Sequence, residues 1–80
     1  MITIKYFASL REKIGRDQDM VEYAPEMTIQ SLWNHLHGNT ELMGVEVKEL
    51  LCAQNMEYTR WDVVLNDGDE IAFFPPVTGG

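Results

Sequence analysis

Basic side chains are scarce in this sequence: six Lys and Arg stand against thirteen Asp and Glu, a net charge of −7 over 80 residues. So acidic a surface repels phosphate backbones and anionic lipids, which argues against nucleic acid and membranes as partners and favours a protein with a basic docking face. Cysteine is scarcer still. Cys52 stands alone, so no internal disulfide framework is available, and the composition fits a reducing compartment. No apolar run approaches the roughly 18 residues that suggest a membrane span, and the opening MITIKYFASLREKIG lacks a basic lead and a long apolar stretch. A cytoplasmic protein is expected. Length is also short: a chain of this size makes one domain that buries about 60–65% of its unfolded surface, which leaves little room for an enclosed active site and disfavours a self-sufficient enzyme. What the composition does supply is 45% apolar residues, enough for one small core.

Periodicity sets the expected elements. Ile2, Ile4 and Tyr6 alternate with Thr3, Lys5 and Phe7, the pattern of a strand over 2–7 with one face on a core. Ser9 and Glu12 have the spacing of a helix-start capping box, and Gly15 follows as a left-handed stop, which predicts a helix of one or two turns. A second short strand is expected over 20–23, closed by Pro25. Thr28 is placed to cap a longer helix in which Ile29, Leu32, Trp33 and Leu36 form one apolar stripe, with Gly38 at its end. Strands are then expected over 50–54, 58–61 and 70–74, separated by turns at 55–57 and at Asn66-Asp67-Gly68-Asp69.

The first two strands are too close for a full crossover and must form a widened hairpin. A right-handed crossover through the long helix then sets the last strand beside the first. The predicted class is α+β, a ubiquitin-like β-grasp: a mixed sheet with one main helix packed on one face, spanning 1–74.

The ending FFPPVTGG is read as a tail, 75–80, with its own chemistry. Pro75 and Pro76 fix φ and lack an N–H, so the sheet stops at Phe74 and the chain leaves it stiffly extended. Pro75, Pro76, Val77, Thr78, Gly79 and Gly80 together reach up to about 20 Å, and the paired glycines admit the thread to a narrow channel. The reacting group is the carboxylate of Gly80. A free carboxylate is a poor electrophile, so it needs activation, as an acyl-adenylate made with ATP by a partner enzyme. A sulfur nucleophile then yields a thiocarboxylate, whereas a lysine amine yields an amide link to another protein; the tail permits both.

The whole chain, from ITIKYFASLREKIG to LNDGDEIAFFPPVTGG, resembles the small, sulfur-carrying subunit of molybdopterin synthase. The second segment is the specific one: glycine-aspartate before a strand, then an aromatic residue and Pro-Pro-Val-Thr-Gly-Gly. The resemblance implies that Gly80 is adenylated and then thiocarboxylated by an activating enzyme. It further implies that the sulfur passes to a cyclic pyranopterin monophosphate held in a large subunit, in a heterotetramer of two small and two large chains. Two such deliveries build the dithiolene of molybdopterin. On this reading the chain binds no cofactor, ATP being used by the activating partner, and it is half of an enzyme rather than one by itself. The resemblance also implies that Phe7, Arg11, Tyr58 and Phe74 face the large subunit, although Tyr58 departs from the aliphatic residue common there. The stretch 41–48 matches no strong family pattern. A ubiquitin-like modifier, or a carrier for thiamine or tRNA thiolation, shares the fold and the Gly-Gly end, but Pro-Pro-Val-Thr favours the molybdopterin reading.

The remaining candidates have plainer explanations. Cys52 lies in an apolar strand, where cysteine serves as a small buried hydrophobe. His35 and His37 are two apart on a helix and do not share a face, so no metal site is expected. Asp67-Gly68-Asp69 lacks the other ligands of a calcium loop and is a turn. Trp33 and Leu36 belong to the core.

Overall fold

The alternation of Ile2, Ile4 and Tyr6 appears in the computed structural model as strand β1, Ile2–Tyr6, with those three side chains buried. The structure describes residues 1–38 and 49–76. Helix α1 (Ala8–Ile14) follows, then β2 (Gln18–Val21), α2 (Ile29–His37), β3 (Leu51–Gln54), β4 (Glu57–Thr59) and β5 (Glu70–Phe74). The five strands form one sheet in the order β2-β1-β5-β3-β4. β1 pairs antiparallel with β2 and parallel with β5, and β3 runs antiparallel to both β4 and β5. The mixed sheet and the widened β1–β2 hairpin are those expected of a β-grasp.

The core lies between the sheet and α2. Ile29, Leu32 and Trp33 meet Ile2, Ile4, Tyr6, Ile71 and Phe73, and Leu10 of α1, Leu50, Cys52 and Leu65 complete the cluster. The Trp33 and Phe73 rings stand 4.8 Å apart in an edge-to-face arrangement. α2 is well started. The Thr28 hydroxyl accepts from the Ser31 N–H and the Ser31 hydroxyl accepts from the Thr28 N–H, a capping box with serine in the usual place of glutamate. The two preceding donors, the N–H groups of Ile29 and Gln30, are taken by the carbonyls of Val63 and Trp61. The helix start is thereby tied to the 61–65 segment.

Several expected boundaries shift, each for a physical reason. Ser9 and Glu12 do not form a capping box: α1 starts at Ala8, and its cap is Phe7, with no side-chain hydrogen bond. The Phe7 N–H continues the parallel ladder to the Phe73 carbonyl while its own carbonyl accepts from Arg11, so the helix begins before Ser9 can cap it. Gly15 does end α1, at φ 88°. β2 lies two residues earlier than the 20–23 expected. The chain turns back at once after Gly15, with the Tyr6 N–H bonded to the Asp17 carbonyl, and Lys5 pairs with Gln18. β4 ends at Thr59 rather than at 61, since Trp61 turns into the core against Trp33 and Phe73.

Asp69 anchors the turn before β5. Its buried carboxylate accepts from the Asn66 N–H, from the Gln54 amide at 2.8 Å and from the Asn55 amide at 2.9 Å. Burial pushes this carboxyl upward, but the three donors outweigh it and hold Asp69 below its ordinary value. No helix among the described residues is long and apolar enough to cross a membrane.

Candidate docking face and tail root

Alternation along β5 divides its aromatics between the two sides of the sheet. Ile71 and Phe73 are fully buried under α2, so Phe74 turns to the opposite side, as its position in the strand predicts. Its ring is half-buried rather than bare. Tyr58 from β4 packs against it edge-on at 5.4 Å, and Phe7, just past β1, does so at 6.5 Å. Tyr58 and Phe7 remain exposed, at 72% and 45%. The three rings come from distant parts of the sequence and meet only because β5 lies between β1 and β3.

Together they line an open hollow of about 400 Å³ with Lys5, Ala53, Met56, Glu70 and Ala72. Ala53 and Ala72 face each other across β3 and β5, and their small side chains form the floor. An ion pair of Lys5 with Glu70 at 3.4 Å borders it. Exposed aromatic surface with a flat aliphatic floor is suited to covering by another protein.

Three of the four docking residues that the resemblance implies, Phe7, Tyr58 and Phe74, are therefore brought together. Arg11 is not among the residues lining the hollow; it is exposed on α1, with no side-chain ion pair among the described residues. The other residues lining the hollow, Lys5, Ala53, Met56, Glu70 and Ala72, were not singled out by the sequence. Their signal was present in parity, since each strand position next to a core residue falls on the other side, and in the Asn-Met pair between two strands.

β5 stops at Phe74, and Pro75 and Pro76 continue from the edge of the hollow, half-buried and exposed in turn. Val77, Thr78, Gly79 and Gly80 lie outside the described residues, as does the stretch 41–48.

The other reactive side chains are occupied within the fold. Cys52 is buried with its thiol directed at the Thr59 carbonyl, and burial pushes that thiol up to about 11, away from nucleophilic thiolate chemistry. His37 does not share a site with His35. Its Nε2 is 2.8 Å from the Tyr6 hydroxyl, which donates its own proton to Asp19 at 2.7 Å, so His37 is the donor to Tyr6. Arg16 closes the group on Asp19. Burial, followed by the hydrogen bond to Asp19, raises Tyr6 well above the ordinary tyrosine value. This cluster joins β1, β2 and the end of α2 as a structural tie.

Comparison with known proteins follows the same architecture. Residues 4–80 match the ThiS family. The molybdopterin synthase sulfur carrier subunit of Escherichia coli K12 is 40% identical over the whole of both chains. Among solved structures, SAMP1 from Haloferax volcanii superposes with a TM-score of 0.79 at 26% identity, covering 99% of this chain and 98% of that one. A chain of the complex of subunits 1 and 2 of molybdopterin-converting factor from Helicobacter pylori shares the fold at a TM-score of 0.62 and 22% identity, over 99% and 97% of the two chains. With the β-grasp topology and an end-to-end relationship of this kind, the chain belongs to the ThiS family, and its homologues are molybdopterin synthase sulfur carrier subunits.

Proposed function

We propose that this protein is the sulfur carrier of a molybdopterin synthase, with Gly80 as its working residue. The observation that carries the reading is the 40% identity, over the full length of both chains, to a molybdopterin synthase sulfur carrier subunit. The fold supports it by ending its central strand at Phe74 and leading Pro75 and Pro76 away from an aromatic docking face.

The chemistry proceeds through the Gly80 carboxylate. An activating enzyme joins it to the adenylate of ATP with loss of pyrophosphate, and a sulfur nucleophile then displaces AMP to leave a thiocarboxylate. Docked on the large subunit, the carrier threads 75–80 into that subunit's active site and delivers sulfur to cyclic pyranopterin monophosphate. Two deliveries complete the dithiolene, in an assembly of two small and two large chains. The carrier itself binds no cofactor and works in the cytoplasm. Subunits 1 and 2 form a complex in the Helicobacter pylori protein of the same fold, which supports a large-subunit partner here.

The test is chemical. Intact mass of the protein from cells with an active sulfur pathway is expected to include a species heavier by the difference between sulfur and oxygen. Deleting Gly79 and Gly80 is expected to abolish molybdopterin formation while the melting temperature stays that of the parent. Only the plain carboxylate in every preparation with the activating enzyme present would overturn the reading, and slower-migrating conjugates in an ATP-supplied extract would indicate a protein modifier instead.

A further inference from the structure

We infer that Met56 is a partner-contacting residue of the aromatic face, held in its turn at the expense of the free chain's stability. This rests on the reading of that face as the docking surface for the large subunit.

The backbone supplies the first observation. Gln54 pairs with Glu57, so β3 and β4 are joined by the two residues Asn55 and Met56, at φ 52° and 72°. A two-residue hairpin turn of this kind needs left-handed backbone at both central positions, and the usual pair is Asn-Gly. Asn tolerates that conformation, and Asn55 also serves the fold: its amide donates to Asp69 and its side-chain oxygen accepts from the Glu70 N–H. Met56 occupies the glycine position. Its Cβ is disfavoured there, and at 92% exposure its side chain gains almost nothing from packing within the chain.

The second observation is location. Met56 lines the same hollow as Phe7, Tyr58 and Phe74. A strained residue that contributes nothing internally, placed beside exposed aromatics, is explained by contact with another molecule. Its unbranched, polarizable thioether adapts to an irregular apolar surface, so the contact is an apolar patch on the large subunit next to the one that receives Phe74 and Tyr58. Ala8, directly after Phe7, has a left-handed backbone as well, at φ 54°. The aromatic face is thus bordered on two sides by conformations that its sequence does not favour.

The experiment compares Met56→Gly, Met56→Ala and Phe74→Ala, each as the full chain, in thermal melts and in titration against the large subunit. Met56→Gly is expected to raise the melting temperature by about 4 °C and to weaken binding about tenfold. Met56→Ala, which keeps the Cβ in the left-handed position, is expected to weaken binding similarly without the gain in melting temperature. Parent-like binding by both Met56 variants, with Phe74→Ala impaired, overturns the inference and leaves the docking face standing. Parent-like binding by all three overturns both. A melting temperature for Met56→Gly at or below that of the parent overturns the claim that stability is given up at this position.

Discussion

Phe74 packs between two aromatic rings on the open face of the sheet, and these neighbours set what its removal does. Because Tyr58 and Phe7 lie edge-on to its ring, Phe74→Ala is expected to cost the free chain about 1 kcal/mol, the range of aromatic pairs. Affinity for the large subunit is expected to fall by about 2 kcal/mol or more, as for an interface anchor. Calorimetric titration beside thermal melts of the free variant checks both; a stability loss larger than the binding loss would assign the residue to the fold alone. Asp69 belongs wholly to the fold. Asp69→Ala would strand three donors, the Asn66 N–H and the Gln54 and Asn55 amides, and is expected to cost about 2–3 kcal/mol in denaturant unfolding. His37 adds a pH dependence. Burial, assisted by Arg16 and opposed by Asp19, holds it below its ordinary 6.5, so below that pH the unfolded chain binds the proton more readily than the folded one. Stability is therefore expected to decline as pH falls from 6.5 through the lower value of the folded state. A His37→Gln variant that shows the same decline in urea unfolding would refute the assignment.

At the scale of elements, the start of α2 is the best-determined feature of the chain. Thr28 and Ser31 close the capping box, and Val63 and Trp61 accept the two remaining N–H groups of the four that a helix start cannot satisfy internally. Thr28→Ala is expected to cost about 1 kcal/mol, seen as a fall of roughly 4–8 °C in melting temperature. Affinity for the large subunit should be unchanged, because α2 lies on the side of the sheet away from Phe7, Tyr58 and Phe74. β5 has the opposite character: Ile71 and Phe73 build the core while Glu70, Ala72 and Phe74 line the aromatic hollow, so on the proposed docking reading substitutions at Phe73 and Phe74 are expected to separate stability from binding.

Over the whole molecule, acidity governs both acid stability and encounter. Asp19, held low chiefly by its hydrogen bond to Arg16, and Asp69 both lie below the ordinary carboxylate value. Their contribution is present above about pH 3.8, the unfolded value, and is lost as pH falls through their folded values. Acid unfolding therefore continues in the same direction as the His37 effect. A net charge of −7 would also speed the approach to a partner if that partner presents the basic face expected from the composition. The association rate is expected to fall with ionic strength while the dissociation rate changes little, measurable by stopped-flow mixing with the large subunit. A rate independent of salt would remove the electrostatic argument for that partner surface.

Local physics was sufficient for much of this. A period of two in Ile2, Ile4 and Tyr6, a helical stripe in Ile29, Leu32 and Trp33, the threonine Thr28 at a helix start and glycines at Gly15 and Gly38 each act within a few residues, so the sequence alone was enough to identify β1, α2, β5 and the β-grasp order. The stop of β5 at Phe74 was legible for the same reason, since the prolines that follow it lack the N–H a ladder needs. Tertiary pairing decided the rest. The ladder from Phe7 to Phe73 moved the start of α1 ahead of Ser9, and the immediate return after Gly15 set β2 two residues early. Only the packing of Trp61 on Trp33 and Phe73 could end β4 at Thr59. The aromatic hollow is the clearest case: residues at 7, 56, 58 and 74 become neighbours through strand order, and no local preference encodes a distance between β1, β4 and β5.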